Sequence, residues 1–365
     1  MIDSAKFNDL LRLIFGYAAA TLVGFGAARL HLPLAWVLGP LVAAAVICIA
    51  GMRLPAPTIT RRCGQLIIGS TVGLSMTGPV VAGLVDWLPL MIFTAFFSIF
   101  VSATFSVLLA QLARIDGKTA FFSVLPGGLS EMGNIGASVG ARMEPIALLQ
   151  AMRVAIVVLL IPPLLVAHGF HQSAPPVPNL QPLYVALALA VSVGGALLFH
   201  LARFNNPWVI GALVSTGILT AFDVTLGKMP ALVFTVGQIL IGYNIGTRFR
   251  RDALKKLPRV AAAGVAIILA MIAVMMLYAF GLTQVVDLES AVAILSSSPG
   301  GMAEMAATAQ ILHLSVVLIT AFHVTRAVLV NGLATYYWRG LTAIGYLPML
   351  ERVLGRLFTG SRSGG

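Results

Sequence analysis

The segment Pro126-Gly127-Gly128-Leu129-Ser130-Glu131-Met132 returns as Pro299-Gly300-Gly301-Met302-Ala303-Glu304-Met305, 173 positions further on. Self-similarity at a fixed offset is the mark of an internal duplication. Working outward at that offset, Gly64, Gln65, Gly69 and Gly73 meet Gly237, Gln238, Gly242 and Gly246, Ser123 meets Ser296, and Arg153 meets Arg326. With one residue of slippage, Trp36-Val37-Leu38-Gly39 meets Trp208-Val209-Ile210-Gly211. Gly-rich apolar helices resemble one another by chance, but an acid and a base kept at matched positions in apolar surroundings do not arise that way. The chain therefore reads as two copies of one unit.

Composition sets the solvent of that unit. Of 365 residues, 59% are hydrophobic and 10% charged, against about a quarter charged in an ordinary soluble domain. Apolar runs near 11–28, 34–51, 88–112, 148–168, 182–201, 207–222, 260–281 and 314–335 approach or exceed the ~20 residues that cross a hydrocarbon core. The predicted fold class is all-α, a polytopic membrane protein. Its parts are a first repeat over 1–168, a Pro-rich linker over 169–181, a second repeat over 182–340 and a cytoplasmic tail over 341–365.

Each copy divides into six apolar elements: 8–29, 33–52, 63–83, 87–112, 119–140 and 145–168, then 182–203, 207–224, 231–247, 259–281, 290–311 and 314–337. Pro-Gly-Gly interrupts the fifth of each. Proline removes a backbone donor and glycine weakens a helix, so this element is predicted to be broken, or to enter and return. Charge tests the second possibility. If the fifth element does not cross, each copy makes five crossings and the second lies inverted relative to the first. Nearly all Lys and Arg, the run 248–259 included, then fall on the cytoplasmic side, with only Arg29 and Lys228 outside. Six crossings would export that run, which the positive-inside rule disfavours. The sequence thus predicts inverted repeats in a bacterial inner membrane, with both termini cytoplasmic and the first span uncleaved. The net charge of +11 is topological, not the stripe that nucleic acid requires. Two cysteines, Cys48 and Cys63, cannot build a disulfide framework.

An ionised side chain at mid-bilayer costs about 2.5–3.5 kcal/mol even on the lenient insertion scale. Glu131, Glu304, Arg153 and Arg326 therefore need a reason. A helix restarting after Pro-Gly-Gly turns free N–H groups and its positive dipole end toward the middle of the membrane. Discontinuous helices of this kind hold substrates and coupling ions in secondary transporters. The candidate substrate or ion site is Glu131, Glu304, Gly127, Gly128, Gly300, Gly301, Ser130, Arg153, Arg326, Gln65 and Gln238. For the arginines, a buried ion pair locking adjacent helices is an equally weighted reading. Gln65 and Gln238 enter because they recur in Gly-rich third elements, where another backbone approaches closely. His323 stands at the position of Gln150 and reads as a satisfied interior histidine. The six histidines are scattered, and no Ser/His/Asp arrangement can be assembled, so no metal, cofactor or enzymatic chemistry is expected.

Through the paired P-G-G-x-x-E-M elements at 126–132 and 299–305, the chain resembles the Gram-negative membrane AbrB family, whose members carry a duplicated membrane domain. The resemblance covers roughly residues 10–340. It brings labels of transcriptional regulator and ammonia monooxygenase but no site assignment. No separate soluble domain is available to grip DNA, so direct nucleic-acid binding is not expected. The leading expectation is an ion-coupled secondary transporter of a small polar or anionic solute, driven by a proton or Na⁺, with the lipid bilayer as its other partner. The alternative is a membrane-bound regulator or sensor acting indirectly on gene expression. A homo-oligomer is compatible with either.

Overall fold

The computed structural model describes residues 4–170, 182–224, 227–347 and 349, and leaves the side chains of 4–6, 129 and 130 undescribed. Among the described residues the chain is all helix: α1 Ser4–Arg29, α2 Ala35–Ala50, α3 Thr58–Gly73, α4 Gly78–Ala113, α5 Gly117–Val124, α6 Leu129–Ser138, α7 Met143–Ala167, α8 Pro182–Leu201, α9 Pro207–Ala221, α10 Ala231–Gly246, α11 Arg251–Lys256, α12 Pro258–Leu282, α13 Ser290–Ser297, α14 Met302–Ile311 and α15 Val316–Ala343. Six of these, α1, α4, α7, α8, α12 and α15, contain stretches long and apolar enough to cross a membrane. Apart from α11 the order repeats, α1 to α7 corresponding to α8, α9, α10, α12, α13, α14 and α15. The fifth element is broken in both copies, between α5 and α6 and between α13 and α14.

Two boundaries correct the sequence reading. The first copy turns at 74–77, not near Asp86, and α4 runs for 36 residues, about 54 Å at 1.5 Å per residue. Pro79 sits in its first turn, where the missing N–H leaves no bond unmade. Asp86 lies on an exposed face of the helix and so does not break it. The basic run 248–259, read as loop, contains the short helix α11. The linker from 171 to 181 and the tail from 350 onward lie outside the described residues.

Glycine positions explain how the copies fit together. A Cβ on Gly69 or Gly73 of α3 would strike the carbonyl of Val209 or Leu213 on α9. A Cβ on Gly242 or Gly246 of α10 would strike the carbonyl of Val37 or Leu41 on α2. The same contact is made twice, each time between copies. Without a hydrophobic drive between helices in lipid, such close backbone approach is what holds spans together. The equivalent helices α3 and α10 also pack on one another, and they run antiparallel. Asn244, near the end of α10, donates to Thr60 at the start of α3 at 3.2 Å, while Gly64 faces Gly237 and Leu240, and Gly237 faces Ile67.

Packing is dense within two bundles and sparse between them. One holds α1, α2, α3, α8, α9 and α10; the other holds α4 to α7 and α12 to α15. Each bundle is thus assembled from both copies, with the broken elements confined to the second.

Candidate solute and ion site

The broken element of the first copy goes in and comes back. Asp116 caps α5, accepting from the Thr119 N–H at 2.8 Å and its hydroxyl at 2.7 Å. The far end of α6 returns to the same place: the Arg142 N–H donates to the Thr119 hydroxyl at 2.9 Å, and Lys118 Nζ donates to the Val139 carbonyl at 3.3 Å. Arg142 also stands 3.6 Å from the Asp116 carboxylate. Partial burial pushes the Asp116 carboxyl up, but the Thr119 hydrogen bonds and the field of Arg142 outweigh it and hold the group below its ordinary value.

At the tip of this hairpin the last carbonyls of α5 have lost their helical partners, and buried unsatisfied carbonyls are costly. Side chains from α7 supply the partners. Arg153 donates to Leu125 O at 2.7 Å and Gly127 O at 3.0 Å, and Gln150 donates to Phe122 O at 3.0 Å and Leu125 O at 2.9 Å. The second copy repeats the arrangement. Arg326 donates to Ser298 O at 2.5 Å and Gly300 O at 2.7 Å, and His323 Nε2 meets Leu295 O at 3.0 Å. Arg326 also donates to His323 Nδ1 at 2.9 Å. That leaves the imidazole proton on Nε2, so His323 is a neutral donor, as expected of a satisfied interior histidine. Each arginine stands ten residues, about 15 Å, into its helix, a length equal to half of a ~30 Å hydrocarbon core.

The ion-pair alternative for the arginines is not seen: among the described residues no carboxylate lies within 4 Å of Arg153 or Arg326. The motif's glycines serve the residues that follow them. A Cβ on Gly127 or Gly300 would strike the side chain of Met132 or Met305, and a Cβ on Gly128 or Gly301 would strike the carboxylate of Glu131 or Glu304. None of the four has positive φ; the glycines provide space. Gly128 and Gly301 are the N-caps of α6 and α14, so each Glu occupies the third helical position and folds back over the helix start, where a carboxylate is favoured. The Ser130 side chain lies outside the described residues.

The two tips share one field. Glu304 lies within electrostatic reach of Arg153 from the other copy, and of Arg248 and Arg61. Arg248 in turn feels Glu131 and Glu304, and Arg153 feels Arg326. Gln238 is buried and Gln65 half-buried where α3 meets α10, and among the described residues neither has a hydrogen bond to the motif. Sequence reasoning missed Arg61 and Arg248, which it counted as topological charges.

A cavity of about 470 Å³ is lined by Arg61 and Arg248 of this group, with Glu144, Asn244 and Lys256 among others. Another of about 580 Å³ is lined by Ser75, Gly83, Trp87, Gln310 and His313. The two correspond: Ser75, Val80, Gly83, Leu84 and Val317 of the second stand 173 positions from Arg248, Ala253, Lys256, Leu257 and Glu144 of the first. They lie at opposite ends of α3, which begins at the first and ends at the second. The helix's 16 residues separate them by about 24 Å.

These features define a class: a helical protein with membrane-length apolar spans, built on a duplicated unit whose broken fifth element carries an acid at its restart. Sequence comparison places it more narrowly. The family described as Transition state regulatory protein AbrB matches residues 36–341, and the chain belongs to it. It is 28% identical to the uncharacterized protein YhjN of Bacillus subtilis, with 92% of this chain and 94% of that one covered. It is 27% identical to a protein of Escherichia coli that carries the provisional name regulator AbrB, with 85% and 91% covered. No solved structure gives a significant match.

Proposed function

We propose that the protein is an ion-coupled secondary transporter of a small polar or anionic solute, built from inverted repeats in a bacterial inner membrane. The observation that carries this reading is the duplicated broken element, whose two helix restarts hold Glu131 and Glu304, with a cavity at each end of α3. Helix restarts near the midplane are where transporters bind their solutes. The antiparallel α3 and α10 support inversion, since equivalent crossings must then face opposite ways. The partition into two bundles supports alternating access, one bundle rocking against the other about a fixed site.

Glu131 and Glu304 are the coupling residues in this reading, protonated or ligating Na⁺ in one half of the cycle. The position of each at a helix start also makes it a cap. The two roles separate under Glu131→Gln with Glu304→Gln, because glutamine retains a reach-back acceptor at the third helical position. In proteoliposomes the double variant should fold and bind but lose gradient-driven flux; an undiminished flux would remove both residues from coupling.

The regulator named among the relatives is the second reading. It is favoured only by that name, and it predicts a bound solute with no net flux.

A further inference from the structure

Resting on the transporter reading, we infer that the solute is a small organic anion, taken up through the mouth formed by Arg61 and Arg248. The first argument is charge. Arg61, Arg248 and Arg153 lie in the field of Glu304, Arg248 also in that of Glu131, and Arg326 adds a fourth positive charge beside Arg153. Two helix starts add further positive potential, and Arg153 and Arg326 donate to backbone carbonyls and, from Arg326, to the neutral His323 ring, none of which is an anion. Among the described residues neither Arg61 nor Arg248 has a carboxylate within ion-pair distance. The Nε atoms of Arg153 and Arg326, on residues 2% and 6% exposed, have no hydrogen-bond partner there either. An uncompensated cation away from bulk water is expensive, and a bound anion offsets that cost.

The second argument is the broken symmetry of the two mouths. Where the first has Arg248, Lys256 and Glu144, the second has Ser75, Gly83 and Val317, and Phe234 stands where Arg61 does. The same fold therefore forms this mouth without charge, so its packing does not require the arginines. Orientation in the membrane does not require them either. Arg250, Arg251, Lys255, Lys256 and Arg259 are all exposed at that end and suffice for the positive-inside rule, whereas Arg61 and Arg248 are half-buried. The outer acids do not neutralise the mouth, because Asp252 is held by Arg53 at 2.7 Å and Glu144 is a single charge.

The third argument is the wall. Ala56, Ala147, Leu148 and Leu257 line the cavity beside the arginines, and its volume of about 470 Å³ lies in the range that encloses small organic ligands. An apolar wall beside a guanidinium favours a carboxylate carrying a hydrocarbon part over a fully hydrated inorganic oxyanion.

The test is thermal stability of the full chain in nanodiscs of zwitterionic lipid, titrated with benzoate, butyrate, inorganic phosphate, choline and glycerol. Benzoate or butyrate should raise the melting temperature in a saturable way. Arg61→Gln and Arg248→Gln should each weaken that effect about tenfold or more, the loss of one charge-assisted hydrogen bond. Arg248→Lys should restore most of it, and Lys228→Gln, an exposed charge elsewhere, should change nothing. The inference is overturned by no response to either organic anion, by a response indifferent to both glutamine variants, or by phosphate acting as well as benzoate. Choline or glycerol binding in place of the anions overturns it while leaving transport open. Arginine-dependent benzoate binding without gradient-driven flux sustains the anion site and sinks the transporter reading instead.

Discussion

Arg153 and Arg326 each reach two carbonyls on the far wall of a helix break, at distances between 2.5 and 3.0 Å. Guanidinium suits this because its fork presents two donors in one plane, whereas an ammonium presents a single point of charge. Replacement of either by lysine should therefore keep the charge and lose one of the two carbonyl bonds. A hydrogen bond to a charged group contributes about 1.5–3 kcal/mol, and within lipid about 0.6–2, so Arg153→Lys and Arg326→Lys should each destabilise by about 1–2 kcal/mol. Unfolding followed in detergent would show it, and the paired contacts predict similar losses in both halves. A lysine variant with unchanged stability but abolished solute binding would assign these arginines to the solute instead. The sequence disclosed both arginines and their spacing from the motif. It could not disclose their partners, because a carbonyl belongs to every residue and is marked by none. His323 shows the same limit: only the shared target, Phe122 O in one copy and Leu295 O in the other, reveals that it does the work of Gln150.

At the scale of elements, the glycines divide by what lies across from them. Gly195 of α8 faces the carbonyl of Gly211 and the side chain of Ser215, while its neighbour Gly194 has nothing within 4 Å. Sequence alone does not separate the two, since adjacent glycines look alike until the helix is rotated into place. Gly194→Ala should be neutral or stabilise by up to ~1 kcal/mol through helix propensity. Gly195→Ala, Gly69→Ala and Gly242→Ala should destabilise by about 1–3 kcal/mol through overpacking, for in each the obstruction includes backbone that cannot swing aside. Melting temperatures of the four variants would decide it, and the same sign at Gly194 and Gly195 would refute the packing. The breaks at Pro-Gly-Gly were legible because proline and glycine act locally. The turn at 74–77 was not, because Asp86 and Trp87 resemble a boundary and yet lie on a helix that continues beyond any hydrocarbon core. The return of α6 to the start of α5 was legible only indirectly, from the odd number of crossings that the positive charges favour.

Across the whole molecule, the partition into bundles was hidden from the sequence, which shows two consecutive copies. Each bundle takes half its helices from each copy. The reason is geometric: the reciprocal glycine contacts of α3 with α9 and of α10 with α2 draw the first three elements of both copies together. The charged mouth lies on the seam between bundles, and beside it Arg53, in the loop after α2, meets Asp252 of α11 at 2.7 Å. Both residues are exposed, so the pair itself stabilises little. Its position is what matters, because a covalent bridge there would tie the α2 end of one bundle to the segment that leads into the other. With Cys48 and Cys63 first replaced, Arg53→Cys and Asp252→Cys together should accept a short cleavable bis-maleimide. If access alternates by relative motion of the bundles, the cross-link should arrest flux in proteoliposomes, and cleaving the linker should restore it. Each single variant treated in the same way controls for obstruction, since Asp252 lines the mouth; arrest by the cross-link should exceed any loss seen in either one. Flux that persists through complete cross-linking would mean that the seam does not move, and the two mouths would then have to serve a path that opens without it.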